Sequence, residues 1–162
     1  MSKQIDQVLT YLEDHQIVYT RRDHPPVATI EESKLHWQDL DGMHCKNLFM
    51  RDHKGKKHFL VVADAHKRVD IKSLNNLLSD RLSFASPKRM QKYLGLTPGS
   101  VSPFGLINDE QHEVILILDQ GIKTAEILSF HPNLNTATLS LTQANFQAYL
   151  SSLKNIIRYV DL

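Results

Sequence analysis

Apolar positions in the first fifteen residues recur at helical spacing. Ile5, Val8, Leu9 and Leu12 share one face, and Ser2 can cap a helix running to about His15. Ile17 to Arg21 is rich in β-branched and aromatic side chains and predicts a short strand. Asp23-His24-Pro25-Pro26 follows as a rigid turn, because each proline fixes φ and removes a donor. Thr29, with Glu32 three residues on, has the form of a capping box opening a short helix, and Trp37 to Met43 reads as a loop.

The next stretch, His44 to Asp52, alternates as a strand but carries a lysine in its middle. His44, Lys46, Leu48 and Met50 share one face, and Cys45, Asn47, Phe49 and Arg51 the other. A lysine among core-type residues is costly to bury unless its charge is matched. It either snorkels to the surface or meets an anion. Asp52 to Lys57 is a polar hairpin connection with Gly55 at the turn, and His58 to Ala63 returns as an apolar run suited to burial on both faces.

Further on, Ile71, Leu74, Leu77 and Leu78 define a helix over Asp70–Leu78, and Leu82–Ala85 a short strand. Ser86-Pro87 starts a helix that stops at Gly95. Thr97 to Leu106, with two glycines and two prolines, reads as a loop. Strands follow at Glu113–Asp119, Glu126–Phe130 and Thr136–Leu141. Thr142 caps a helix to about Leu153, and Ile156–Val160 closes the chain as a strand. Interleaved helices and hairpin-joined strands predict a mixed α/β sheet in a single domain over residues 1–162.

Composition adds little at first: 41% apolar and 23% charged is ordinary for a globular chain. No apolar run approaches the roughly 18 residues of a membrane span, and the N-terminus lacks a signal peptide's apolar segment. One cysteine cannot form an internal disulfide, so a reducing, cytoplasmic setting is expected. The net charge of +1 hides an asymmetry. Lys46 to Lys92 holds 12 Lys and Arg against 4 Asp, whereas the remainder holds 7 against 14 Asp and Glu. Such a basic block is either a solvated surface or a face that attracts polyanions.

Candidate chemistry is sparse. Nine histidines include no His-Glu-x-x-His pattern, and a lone cysteine excludes cysteine-rich zinc spacings, so no metal is expected. Cys45 neighbours Lys46 but faces away from it on a strand, which favours an inert thiol. Ser100 lacks a Gly-x-Ser-x-Gly context. The Gly99–Gly105 loop is either a plain turn or a set of backbone donors for an oxyanion. His131-Pro132 stands at the end of a strand, where functional side chains often project.

Five stretches taken in order sharpen these alternatives: His24-Pro25-Pro26-Val27, Lys46-Asn47-Leu48-Phe49, Leu82 to Ser86, Gly99 to Asn108, and His131-Pro132 through Thr138. Together they resemble the free-standing prolyl-tRNA editing proteins, the PrdX or ProXp-ala type of YbaK-like aminoacyl-tRNA deacylases, over roughly residues 5 to 162. The resemblance implies a mixed, partly closed sheet flanked by helices. It also implies trans-editing hydrolysis of mischarged proline tRNA, with alanine as the amino acid removed. Deacylation of another small amino acid (Ser or Cys) and a non-catalytic tRNA- or synthetase-binding homologue are the alternatives. The implied partners are the tRNA acceptor end and a prolyl-tRNA synthetase, with no membrane and no cofactor.

Within the resemblance, Lys46 matches a lysine that holds the terminal phosphate. Gly99 belongs to a Gly-x-x-x-Pro loop that cradles the aminoacyl group, and His131 matches a histidine of the aminoacyl pocket. These three are the implied catalytic positions. Thr29, Asn47, Ser100, Pro103 and Asn135 are the implied substrate-binding positions. Two departures stand out: Cys45 where threonine is expected, and Ala28 where relatives carry an aromatic, which implies a wider pocket entrance.

Overall fold

The structure, a computed structural model, describes residues 3–26 and 42–162. The helix expected from Thr29, the loop from Trp37, and residues Ala28 and Thr29 lie outside the described residues.

Helix α1 (Lys3–Asp14) buries Ile5, Val8 and Leu12 along one stripe. It ends at Gln16, whose φ of 59° is left-handed, and the Ile17 amide donates to the Leu12 carbonyl at 2.8 Å. Ile17 is buried as the apolar contact that closes the helix, so the strand expected from this residue starts later, as β1 (Thr20–Asp23). Strands β2 (Met43–Arg51) and β3 (His58–Asp64) form the expected hairpin, paired from Cys45–Asp64 to Arg51–His58. Its turn is fixed by the buried carboxylate of Asp52, which accepts from the amides of Lys56 and Lys57 at 2.8 and 3.0 Å. These bonds favour the ionised form and outweigh burial, leaving the carboxyl below its usual range.

Helix α2 (Ile71–Leu78) is capped by Asp70, and α3 (Pro87–Leu94) by Ser86, with left-handed Gly95 at its end. The two-residue strand β4 (Ser83–Phe84) lies between them. The segment after α3 is not wholly loop: Pro103–Asn108 winds into a 3₁₀ helix capped by Ser102. Then come β5 (Val114–Asp119), a 3₁₀ turn over Gln120–Thr124, β6 (Ile127–Phe130), β7 (Ala137–Thr142), α4 (Gln143–Ser152) and β8 (Ile157–Val160).

The strand order is β1-β7-β6-β2-β3-β5-β8, with β4 added beside β2. The sheet is mixed: β6–β2, β3–β5 and β5–β8 are parallel and the other pairs antiparallel. Strand β2 is the hinge of this arrangement. Its first residues, Met43 and His44, pair with β6, and its last, Met50 and Arg51, pair with β4. Gly42 fixes the entry, because its φ is 96° and a Cβ there would lie 2.6 Å from the Ile127 carbonyl oxygen.

One face of the sheet packs on α1, α3, α4 and the first 3₁₀ helix through Phe49, Leu60, Val62, Leu116, Leu128, Phe130 and Leu139. The other face is apolar over β2, β3, β5 and the end of β8, where Met50, Phe59, Val61, Ile117 and Val160 cluster with Leu74 and Leu82. All six residues of β3 from His58 to Ala63 are buried, as its continuous apolar run predicts.

His58 lies where the hairpin meets α3. Its Nε2 accepts from the Arg89 guanidinium at 3.0 Å, and its ring packs on Tyr93 with centroids 3.9 Å apart. Burial, reinforced by the Arg89 charge, pushes its pKa down to about 4. The folded state therefore binds fewer protons than the unfolded chain between pH ~6.5 and about 4. Stability should be full above that window and fall by roughly 3 kcal/mol as pH drops through it. Urea titrations from pH 7 to 4 should show this slope, and His58→Gln should flatten it. An unchanged slope in that variant would place the sensitivity elsewhere.

Candidate functional site

The second face of the sheet changes character across β2. Ser129 and His131 alternate with the core residues Leu128 and Phe130, so they point away from the main core. The His44–Ser129 pairing puts His44 on that same face, and the alternation of β2 puts Lys46 there too, two residues beyond the last position paired with β6. Ser129 pairs with Ser140 and their hydroxyls meet at 2.7 Å, which brings Thr138 and Ser140 to this face. Arg22 pairs with Thr138, adding Arg22 and the following His24. Half of one sheet face is thus hydroxyl, imidazole and cation, and Lys46 stands at its border with the apolar half.

Lys46 is half-buried, and its ammonium donates to the main-chain carbonyl of Lys67. That carbonyl is held from behind. The Lys67 ammonium bonds both oxygens of Asp119 at 3.1 Å, and Asp119, almost wholly buried, also accepts from the Leu162 amide. Burial pulls the Lys46 pKa below its usual value, and the Asp64 carboxylate partly restores it. An ammonium has three donors, so one bond to Lys67 leaves two directions for an anion. An arriving phosphate would reverse the cost of burial.

His131 donates from Nδ1 to the Ala137 carbonyl at 3.0 Å, which assigns its other nitrogen as an acceptor. Burial lowers its pKa, the Ala137 bond opposes this, and nearby His24 adds to the lowering. The two imidazoles lie 6.0 Å apart between centroids. His24 donates to the Pro25 carbonyl and accepts from Thr138, both at 2.9 Å. The Ala137 bond thus sets the ring of His131, and the fixed ring of His24 lies beside it.

The Gly99–Gly105 loop is tied to the turn that His131 opens. Ser102 Oγ donates to Asn133 Oδ1 at 3.1 Å and accepts from the Phe104 amide at 3.0 Å. Asn133 Nδ2 donates to the Phe104 carbonyl at 3.3 Å, and the fully buried Tyr149 hydroxyl donates to the Pro103 carbonyl at 2.7 Å. Not every loop amide is presented to a ligand. Those of Ser100, Phe104 and Gly105 are spent on Thr97 and Ser102, because the 3₁₀ turn closes on itself. Among the described residues the amides of Gly99, Val101 and Ser102 donate to no protein group. Gly99 has φ of 87°, which a side chain would strain.

Lys46 and His131 therefore share a face, and Gly99, Ser100 and Pro103 share a loop anchored to the turn that His131 opens. Ser100 is buried and Asn135 half-buried in the turn after β6. Asn47 points to the opposite face from Lys46, and its Oδ1 is buried without a hydrogen-bond partner among the described residues. Cys45 shares that opposite face, and burial, with the Asp64 charge, drives its thiol far above the usual range, which removes it as a nucleophile. Sequence reasoning missed Asn133 and Tyr149. A tyrosine on the apolar stripe of α4 needs a partner for its hydroxyl, and an asparagine after His-Pro is suited to the left-handed φ of 62° found there.

Among the described residues no three His, Cys, Asp or Glu side chains come close enough to share a metal ion. None of the described helices is long and apolar enough to cross a membrane.

The aminoacyl-tRNA editing domain family matches residues 24–149. The prolyl-tRNA editing protein ProX of Acetoanaerobium sticklandii is 41% identical over 157 residues, covering 96% of this chain and 95% of that protein. Prolyl-tRNA synthetase associated domain-containing protein 1 of Xenopus laevis is 35% identical over 149 residues, covering 89% and 88%. A solved structure of a candidate trans-editing enzyme for prolyl tRNA synthetase superposes with a TM-score of 0.78 at 19% identity, covering 100% of this chain and 98% of that one, which speaks for the fold. The chain belongs to the aminoacyl-tRNA editing family and is an aminoacyl-tRNA deacylase.

Proposed function

We propose that this deacylase edits proline tRNA in trans, cleaving the ester of alanyl-tRNA(Pro) to free alanine and tRNA. The observation that carries the reading is the polar half-face of the sheet, to which β2 brings Lys46 and the end of β6 brings His131. Lys46 anchors the phosphate of the terminal adenosine. The amides of Gly99, Val101 and Ser102 suit an oxygen that turns from carbonyl to oxyanion. The acceptor nitrogen of His131 suits the substrate's α-ammonium, and a neutral imidazole tolerates that cation where a protonated one would repel it.

Water is the nucleophile. Its oxygen adds to the ester carbon, the C–O bond to the ribose breaks, and a proton passes to the departing ribose oxygen. The adjacent 2′-hydroxyl helps place that water, so the protein's share is positioning and oxyanion stabilisation. Thr29, Ser100, Pro103 and Asn135 are proposed as walls of the aminoacyl pocket, and Asn47, on the opposite face of β2, as a support beneath it. A prolyl-tRNA synthetase is the proposed partner, since it releases the mischarged tRNA.

Alanine and proline differ by methylenes worth about 1–3 kcal/mol each, so selectivity must come from a site that admits the smaller group and excludes the ring. A panel of proline tRNAs charged with alanine, serine, cysteine and proline tests this. Alanyl-tRNA is expected to be cleaved at least tenfold faster than the seryl or cysteinyl esters, within the range that small size differences provide. Equal rates on alanyl and seryl esters would reject alanine specificity, and salt-sensitive tRNA binding with no turnover would reject the enzyme reading.

A further inference from the structure

We propose that the cleft between the β2–β3 turn and the end of α2 is a second RNA site, which grips backbone phosphates of the substrate's duplex arm well away from the ester. The substrate is taken from the deacylase reading above. The cleft, with a volume near 960 Å³, gathers Lys54, Lys56 and Lys57 from the turn and Lys72 and Arg81 from α2 and the segment after it. Two carboxylates share the lining. Asp52 is turned inward onto the Lys56 and Lys57 amides, and Asp80 accepts from the Arg81 amide. Among the described residues none of the five cationic side chains is in an ion pair or hydrogen bond.

Five cations against two carboxylates leave an excess of positive charge around a concavity, which focuses positive potential into it. The cleft is broad and its lysines are long and exposed, so it lacks the convergent, buried donors that a single small anion demands. A ribose-phosphate chain, which offers charge after charge along its length, is the better match. Position adds to the match. Asp52 lies six residues beyond Lys46 on the same hairpin, about 20 Å at strand rise. A duplex arm running that far from the ester presents on the order of ten phosphates. One strand would then carry the ester anchor at one end and the arm's anchor at the other.

The full chain carrying Lys54→Gln, Lys56→Gln and Lys57→Gln together tests this, since all three side chains are exposed and outside the catalytic face. Affinity for uncharged proline tRNA is expected to fall about tenfold, with the slope of log Kd against log salt reduced by about 2. The variant's kcat/KM on alanyl-tRNA should fall by the same factor. Its kcat/KM on alanine esterified to the terminal trinucleotide alone should be unchanged. Unaltered tRNA affinity and salt slope would overturn the site, as would an equal loss on the trinucleotide ester. Loss of synthetase binding with tRNA affinity intact would also overturn it, making the cleft a protein surface. If the unmodified protein cleaves neither ester, the deacylase reading fails while the binding measurements still decide the cleft.

Discussion

Lys46→Ala is expected to lower single-turnover deacylation about 100-fold while leaving the melting temperature essentially unchanged. An error of about an ångström in placing a reacting group costs on the order of 100-fold, and the lysine's role is placement. Its ammonium is already tethered to the main chain of Lys67, whose half-buried side chain is fixed in turn by the buried carboxylate of Asp119. The phosphate therefore meets a cation whose direction is set before binding, so little ordering entropy remains to be lost. Lys46→Arg should not restore the rate, because a planar guanidinium cannot keep the Lys67 bond and offer a point charge at the same spot. Full activity in Lys46→Ala would remove the anchor role. A melting temperature that fell with the rate would instead make the lysine a structural element.

Asn133→Ala is the second large effect. Asn133 bridges the two segments that carry the other proposed site groups, accepting from Ser102 and donating to the Phe104 carbonyl. Its truncation leaves two buried partners unsatisfied, and alanine at a φ of 62° is strained as well, for a total of roughly 3 kcal/mol. Asn133→Gly separates the parts. Glycine accepts the backbone but makes neither bond, so urea titration should find it about 1 kcal/mol more stable than the alanine variant. Both should lose about tenfold in deacylation, because both release the loop from its position beside His131. Wild-type rates in the glycine variant would show that the loop needs no tether.

The strands and helices that place these residues were legible because they rest on local signals. The alternation of β2 separated Lys46 from Cys45, and Ser86, Gly95 and Thr142 marked helix ends that the structure keeps. Ile17 misled because its apolar, β-branched side chain suits a strand, whereas here it plugs the end of α1 after a left-handed Gln16. The Gly99 loop was visible through its glycines and prolines, but its inner 3₁₀ turn was not, since that turn depends on Ser102 reaching its own backbone. Asn133 and Tyr149 escaped for the same kind of reason. Their roles are contacts to residues distant in the chain, and no local spacing encodes which carbonyl a buried side chain will meet. The polar half-face emerged only from strand order, because four strands each contribute one or two side chains to it.

Among the described residues, strand β2 pairs with β6 at two positions, Met43–Leu128 and His44–Ser129. A parallel ladder of this kind cannot close until the intervening chain has been synthesised, and such long-range pairing is slow to form. The strand that carries Lys46 and the one that ends at His131 are therefore expected to pair late. A chain still emerging from the ribosome stands among aminoacylated tRNAs whose esters must survive. It would hold its lysine and its imidazole on separate, unpaired segments, and would become a hydrolase only once complete.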